Sequence, residues 1–206
     1  MPSNLAEWDA KHRAAAGNES TEPASIVREL LPLLPNGPAL DLACGAGRHS
    51  LLLAEGSHPV TAVDGSSVAL EILAERARAQ NFQVHCSSKR EIEAEDRSRH
   101  IQLIHADLER AILPTASFAV ILCIHYLQRS LHLQIERALA PGGMLVFETY
   151  TLPQLEFAKG PHNPAFLLET GELHGAFPSL ELVFYRELRA GQGIATLAAQ
   201  KAGHMR

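Results

Sequence analysis

Residues 39–50 read ALDLACGAGRHS, and within them Ala43, Gly45 and Gly47 fall at every second position. Small side chains at that spacing let the backbone approach a ligand, and glycine takes dihedrals closed to other residues. An apolar run precedes them and a helical pattern follows. The helix therefore aims its first N–H groups and its positive dipole end at whatever sits there. Asp41 lies inside the end of the apolar run, two residues before the first small residue. A carboxylate there repels a pyrophosphate but suits an ammonium group. Asp64 closes the next apolar run, in VTAVDGS, where an acid accepts hydrogen bonds from both hydroxyls of a ribose. An aminoacyl nucleoside carries both an ammonium and a ribose, whereas a dinucleotide lacks the ammonium.

The elements that must hold these residues follow from periodicity. Residues 25–34 read as a helix with Ile26, Val27, Leu30 and Leu31 on one side, ending at the Pro35–Pro38 turn. A strand over 39–43 leads into a helix over 46–56, a strand over 59–63 into a helix over 66–80. Strands follow at 101–106, 118–124 and 144–150, with a helix at 127–139. The 118–124 run (FAVILCI) is apolar without alternation, as in a strand buried on both faces. Two last strands, 180–187 and 194–200, are joined through Gly191-Gln192-Gly193, too short a link for a helical crossover. The expected fold is α/β: a doubly wound, mostly parallel seven-stranded sheet with an antiparallel last pair and helices on both faces. One domain spans 1–206, with 1–24 as an N-terminal lid and 86–100, mixed in charge, as a surface insertion.

The 39–50 segment resembles the glycine-rich first motif of class I S-adenosylmethionine-dependent methyltransferases, and Asp64 matches the acid that binds the ribose. Asp107 in HADLE matches the acid near the adenine amino group, with Leu108 beside the ring. Cys123 matches the strand end bordering the methionine part, and APGGMLVF at 140–147 is similar to the Pro-Gly-Gly turn before the fifth strand. The resemblance implies S-adenosyl-L-methionine as cofactor, held by Asp41, Ala43, Gly45, Gly47, Arg48, Asp64, Gly65, Ser66, Asp107, Leu108 and Cys123. Ala43 stands where the family pattern has its first glycine and fits if its φ is negative. DLACGAGRHS, HYLQRSL and GPHNPAFLLETGEL carry a finer resemblance to small-molecule methyltransferases of the tellurite-resistance type.

Methyl transfer from a sulfonium is an in-line displacement, so the protein mainly aligns the partners and excludes water. The acceptor must lie beyond the carboxyl ends of the strands. His125 and Tyr126, after the fourth strand, are the catalytic candidates. Tyr150, His162, Trp8, His12 and Arg13 are candidate substrate contacts, and Arg13 or Arg48 suits the cofactor's carboxylate. The fourth strand lacks the Asn/Asp-Pro-Pro-aromatic motif of amide and nucleobase methylation, and no Asp stands near Cys123 for a metal-dependent catechol type. Two rival readings remain: a non-catalytic module that binds the same cofactor, and an NAD-dependent oxidoreductase. The second is weakened by the missing third glycine and by Asp41.

The chain's bulk properties narrow the class. A net charge of -5 without a basic run disfavours nucleic acid, and no apolar run spans a bilayer. Three unpatterned cysteines fit free thiols in a reducing compartment, so a cytoplasmic protein is expected. Eleven histidines show no zinc-type spacing with cysteine, so no metal is expected. The expected partner is a small-molecule substrate, and the expected assembly a monomer or homodimer.

Overall fold

A computed structural model describes residues 5–15 and 20–203. The remaining parts of the expected 1–24 lid lie outside the described residues. The sheet has eight strands in the order β3-β4-β2-β1-β5-β6-β8-β7. These are β1 Ala39–Leu42, β2 Val60–Asp64, β3 Gln83–Ser88, β4 His100–His105, β5 Phe118–Ile124, β6 Leu139–Tyr150, β7 Leu180–Arg189 and β8 Gly193–Lys201. The first six in spatial order run parallel, while β8 pairs antiparallel with both β6 and β7.

The expected count of seven strands is one short, because β3 adds an outer parallel strand. Its sequence, QVHCSS, is half-exposed and polar, so no buried stripe announces it. Residues 86–88 of the expected surface insertion belong to this strand. Ile92 and Glu95, further along, are buried against the sheet, which makes the 86–100 stretch an anchored crossover rather than a free excursion.

Alternation along each strand sends side chains to two separate cores. Ala39, Val120, Leu122 and Val146 face one core. It is roofed by α2 (Ser25–Leu30), α3 (Arg48–Glu55) and α4 (Ser67–Ala79). Leu40, Leu42, Ile121 and Phe147 face the other, closed by α5 (His132–Ala138) and by loop residues such as Leu173 and Phe177. Burying an aliphatic side chain in either core contributes about 1.5–3 kcal/mol.

Two helices are shorter than periodicity predicts. Pro32 tightens the end of α2 into a 3₁₀ turn over Leu31–Leu33. The expected 127–139 helix begins only at His132, after a 3₁₀ turn over Arg129–Leu131. A further helix, α1 (Leu5–Ala15), lies in the expected lid segment.

The order reverses at β1, whose neighbours are β2 on one side and β5 on the other. The crevice outside the carboxyl ends of strands at such a switch point is where open α/β sheets bind ligands.

Candidate functional site

The chain turns sharply where β1 meets α3. Ala43, Gly45 and Gly47 take φ values of 53, 54 and 81 degrees, so all three small residues are left-handed. The expectation of a negative φ for Ala43 is therefore corrected. Glycine adopts this region freely, whereas alanine pays roughly 1–2 kcal/mol for it. Gly47 has a second constraint. A Cβ there would lie 2.1 Å from Cδ1 of the fully buried Leu73 on α4. Arg76, one helical turn further along α4, donates to the Ala46 carbonyl at 3.1 Å and holds the turn from the same side.

Asp64 ties this turn to β2. Its Oδ2 accepts from the Gly45 N–H at 2.7 Å and its Oδ1 from the Ser66 N–H at 2.8 Å. The Gly65 N–H faces the same carboxylate, and a carboxylate's roughly four acceptor positions exceed these three donors. Burial pushes the Asp64 carboxyl above its ordinary value, against the pull of these N–H bonds. Asp64 borders a cavity of about 400 Å³ that the glycine turn floors and α1 walls. That volume is within the usual range for small-molecule sites.

Twelve of the expected site residues line the cavity: Trp8, His12, Ala43, Gly45, Gly47, Arg48, Asp64, Gly65, Ser66, Leu108, His125 and Tyr126. Ser66 does so with its hydroxyl already engaged. It caps α4 by accepting from the Ala69 N–H at 3.2 Å and donates to Asp9 on α1 at 2.6 Å. Gly65 leaves room for α1: a Cβ there would meet Leu5 at 2.5 Å.

Six expected residues do not line it. Asp41 is 1% exposed within β1, beneath the turn, and accepts from the Ser50 hydroxyl at 2.6 Å. Burial raises its carboxyl to about 7, against the Ser50 hydrogen bond. Asp41 thus underlies the cavity rather than lining it. Cys123 is buried, its thiol pushed up by burial and by Asp41, and its Sγ reaches only the Tyr126 carbonyl. Asp107 turns to its own loop, accepting from the Glu109 N–H at 3.0 Å beside Arg110. His162 bonds the Phe157 carbonyl at 2.8 Å. Tyr150 stacks on His125 instead, with ring centres 5.0 Å apart. Arg13 lies electrostatically close to Asp9 and is not among the lining residues.

Sequence reasoning missed Leu5, Lys11 and Ala15, which join Trp8 and His12 in the wall that α1 presents. The spacing of Leu5, Trp8, His12 and Ala15 is one face of a helix and was the available signal. Lys11 lies 4.1 Å above the Trp8 ring. Also missed was His49, which accepts from the Ala24 N–H at 3.1 Å at the start of α2. Burial, then Arg48 and His125, lower it to about 3, so it stays neutral.

The acceptor end is built around His125. It has φ 60 degrees, an uncommon backbone for a non-glycine residue directly after a strand. Its N–H donates to the Glu148 carbonyl at 2.6 Å, and its Nδ1 lies 3.2 Å from Arg48 Nη2. Tyr126 donates its hydroxyl to Gln128 at 2.5 Å. Burial, followed by Cys123 and nearby acids, holds that phenol above its ordinary value. Tyr126 is thus a neutral wall with an oriented hydroxyl and a poor base.

A family of methyltransferase domains matches residues 39–143, just over half of the chain, from β1 through the start of β6. The chain belongs to this methyltransferase family. It is of the class I, S-adenosylmethionine-dependent type that its motifs resemble. A trans-aconitate 2-methyltransferase of Sinorhizobium fredii (strain NBRC 101917 / NGR234) is 32% identical over 78 residues, 37% of this chain and 30% of that protein. The chain thus matches less than a third of this curated relative's length. Its fold is similar to that of TehB from Haemophilus influenzae, with a TM-score of 0.70 at 17% identity over 91% of this chain and 65% of that one. It is also similar to geranyl diphosphate C-methyltransferase from Streptomyces coelicolor A3(2), with a TM-score of 0.63 at 14% identity over 86% of this chain and 76% of that one.

The residues present fit the family's cofactor. The left-handed turn leaves open backbone at the cavity floor, and the Asp64 carboxylate beside it suits a ribose hydroxyl. Apolar Leu108 and Ile124 offer flat contact for a base. Among the described residues, no group of three or more His, Cys, Asp or Glu is placed to hold a metal ion. None of the helices among them is long and apolar enough to cross a membrane.

Proposed function

We propose that this protein transfers the methyl group of S-adenosylmethionine to a small-molecule acceptor. The observation that carries this reading is the cavity itself: about 400 Å³, floored by the glycine turn and walled by α1. A space of that size lies in the range of small-molecule sites, and His125 and Tyr126 border it. A bound donor supplies an electrophilic methyl on a positively charged sulfur. Asp64 would hold the ribose, and Arg48 and Lys11 bring positive charge for the donor's carboxylate. Asp41, below the floor, supplies the negative field for its ammonium. Leu108 and Ile124 would pack against the adenine, while His125 and Tyr126 border the acceptor. The name of the curated relative, a trans-aconitate 2-methyltransferase, agrees with a small acceptor and does not fix which one.

Titration calorimetry with S-adenosylmethionine, S-adenosylhomocysteine and NAD tests the donor assignment. Binding of both adenosyl compounds and not of NAD is expected; binding of NAD alone would overturn it. A radiolabelled methyl-transfer screen over thiols, selenite, tellurite, halides, amines and carboxylic acids tests the acceptor class. A His125→Ala/Tyr126→Ala double variant is expected to lose turnover while keeping donor affinity nearly intact.

A further inference from the structure

Glu148 is an acid in the middle of an apolar strand, MLVFETY, and only 6% exposed. The sheet register explains its place. It pairs with Ile124 on β5, next to His125, and with Thr196 on β8. Thr196, fully buried, donates its hydroxyl to Glu148 Oε2 at 2.7 Å. The other oxygen, Oε1, lies 3.7 Å from His125 Nε2. The His125 ring is thus fixed from three sides: by Glu148, by stacking on Tyr150, and by its own left-handed backbone bonded to the Glu148 carbonyl.

This arrangement also assigns the two ring nitrogens. Arg48 Nη2 lies 3.2 Å from Nδ1, and a guanidinium only donates. Nδ1 therefore carries the lone pair, and the ring proton sits on Nε2, facing Glu148. Arg48 lines the cavity and Glu148 does not, so the basic nitrogen is the one on the cavity side.

We propose that Glu148, braced by Thr196, is a positioning residue that presents His125 Nδ1 as a general base, and that the acceptor is a protic group, a hydroxyl or an amine. This rests on the methyl-transfer reading above. As the acceptor's X–H attacks, the X–C bond forms and the C–S bond breaks, with its electron pair returning to sulfur. The proton of X–H passes to Nδ1, and Glu148 stabilises the resulting imidazolium. A thiolate or a reduced chalcogen anion brings its own free pair and has no use for such a base. Arg48 covers Nδ1, so the base becomes available when a carboxylate in the cavity draws the guanidinium away. The charged and titratable groups around His125 are Arg48 and His49 of α3 and Glu148 and Tyr150 of β6, with Arg186 of β7 behind Glu148.

The test compares wild type with Glu148→Gln, Glu148→Asp and His125→Asn. Gln keeps an oxygen for Thr196, and Asn tolerates positive φ, so both variants are suited to fold. Phenol and benzylamine serve as protic probes and thiophenol, ionised at pH 8, as the anionic one. Glu148→Gln is expected to lower kcat on the protic probes by roughly 10²-fold with KM unchanged, and His125→Asn by at least as much. Glu148→Asp is expected to restore part of the loss, and the thiophenol rate to move less than about threefold. Methylation of thiophenol alone, or equal losses on all three probes, overturns the proposal.

Nitrogen-15 NMR of His125 reads the same arrangement without turnover. Wild type should show Nε2–H with Nδ1 unprotonated, the Nδ1 signal moving when S-adenosylhomocysteine is added. An Nδ1–H tautomer in wild type overturns the proposal whatever the probes do. Failure of S-adenosylhomocysteine to bind at all would instead sink the methyl-transfer reading, a separate outcome.

Discussion

Asp41 gives the sharpest test of the electrostatics of the site. Its carboxyl is raised to about 7 because burial disfavours its charge. At pH 7 it is therefore about half protonated in the free protein. A ligand that brings an ammonium near the cavity floor favours the charged form and lowers that pKa. Opposite charges within a few ångströms lower a pKa by about 1–3 units, and Asp41 lies beneath the floor rather than in the cavity, so about one unit is the reasonable figure. Protonation then falls from about one half to about one tenth, and binding releases about 0.4 proton at pH 7. The linkage has a definite sign. Affinity rises with pH as Asp41 ionises, by up to about tenfold from below pH 6 to above pH 7, and is then flat. Calorimetry of S-adenosylhomocysteine binding in buffers of different ionisation enthalpy measures the proton count directly. Asp41→Asn keeps an acceptor for Ser50 and should remove the Asp41 share of the release and of the pH slope. Equal proton release in wild type and Asp41→Asn, or none in wild type, would refute the idea that this buried charge senses the ligand.

Two sister positions in the glycine turn should respond in opposite directions. Gly47→Ala meets both a left-handed backbone and the Leu73 side chain, and is expected to cost about 2–5 kcal/mol, read as the shift of a urea midpoint. Ala43→Gly relieves strain of about 1–2 kcal/mol while loosening the unfolded chain by about 0.4–1, so stability should hold or rise by up to about 1.6 kcal/mol. Ser66→Ala removes the α4 cap and the link to Asp9 together. A loss of about 1 kcal/mol and faster amide hydrogen exchange across residues 5–15 are expected, and unchanged exchange there would detach α1 from Ser66.

Much of this fold could be read from the chain because its central strands announce themselves. β5 is buried and appears as an unbroken apolar run, while β1 and β2 are buried and apolar but for Asp41 and Thr61, and all three lead into residues that border the cavity. Small residues at every second position in 43–47 marked the turn, since each takes a positive φ. β3 was not legible because an outer strand with one thin partner needs no apolar stripe. Glu148 escaped for a different reason. Its meaning comes from register with Thr196, 48 residues away, and with the neighbour of His125, and local spacing carries none of that. Asp107 and Cys123 were legible as family positions, yet their side chains turn into their own loop and core. A motif fixes where the backbone goes more firmly than what each side chain touches.

The left-handed backbone at position 125 restricts which residues can stand there. Valine, isoleucine and other branched side chains are disfavoured at that dihedral, leaving histidine to compete mainly with asparagine, aspartate and glycine. Mutational drift at this point therefore follows a narrow corridor. Its cheapest exits either shorten the reach toward the cavity or strip the imidazole away, so random variation here is far more apt to silence the chemistry than to redirect it.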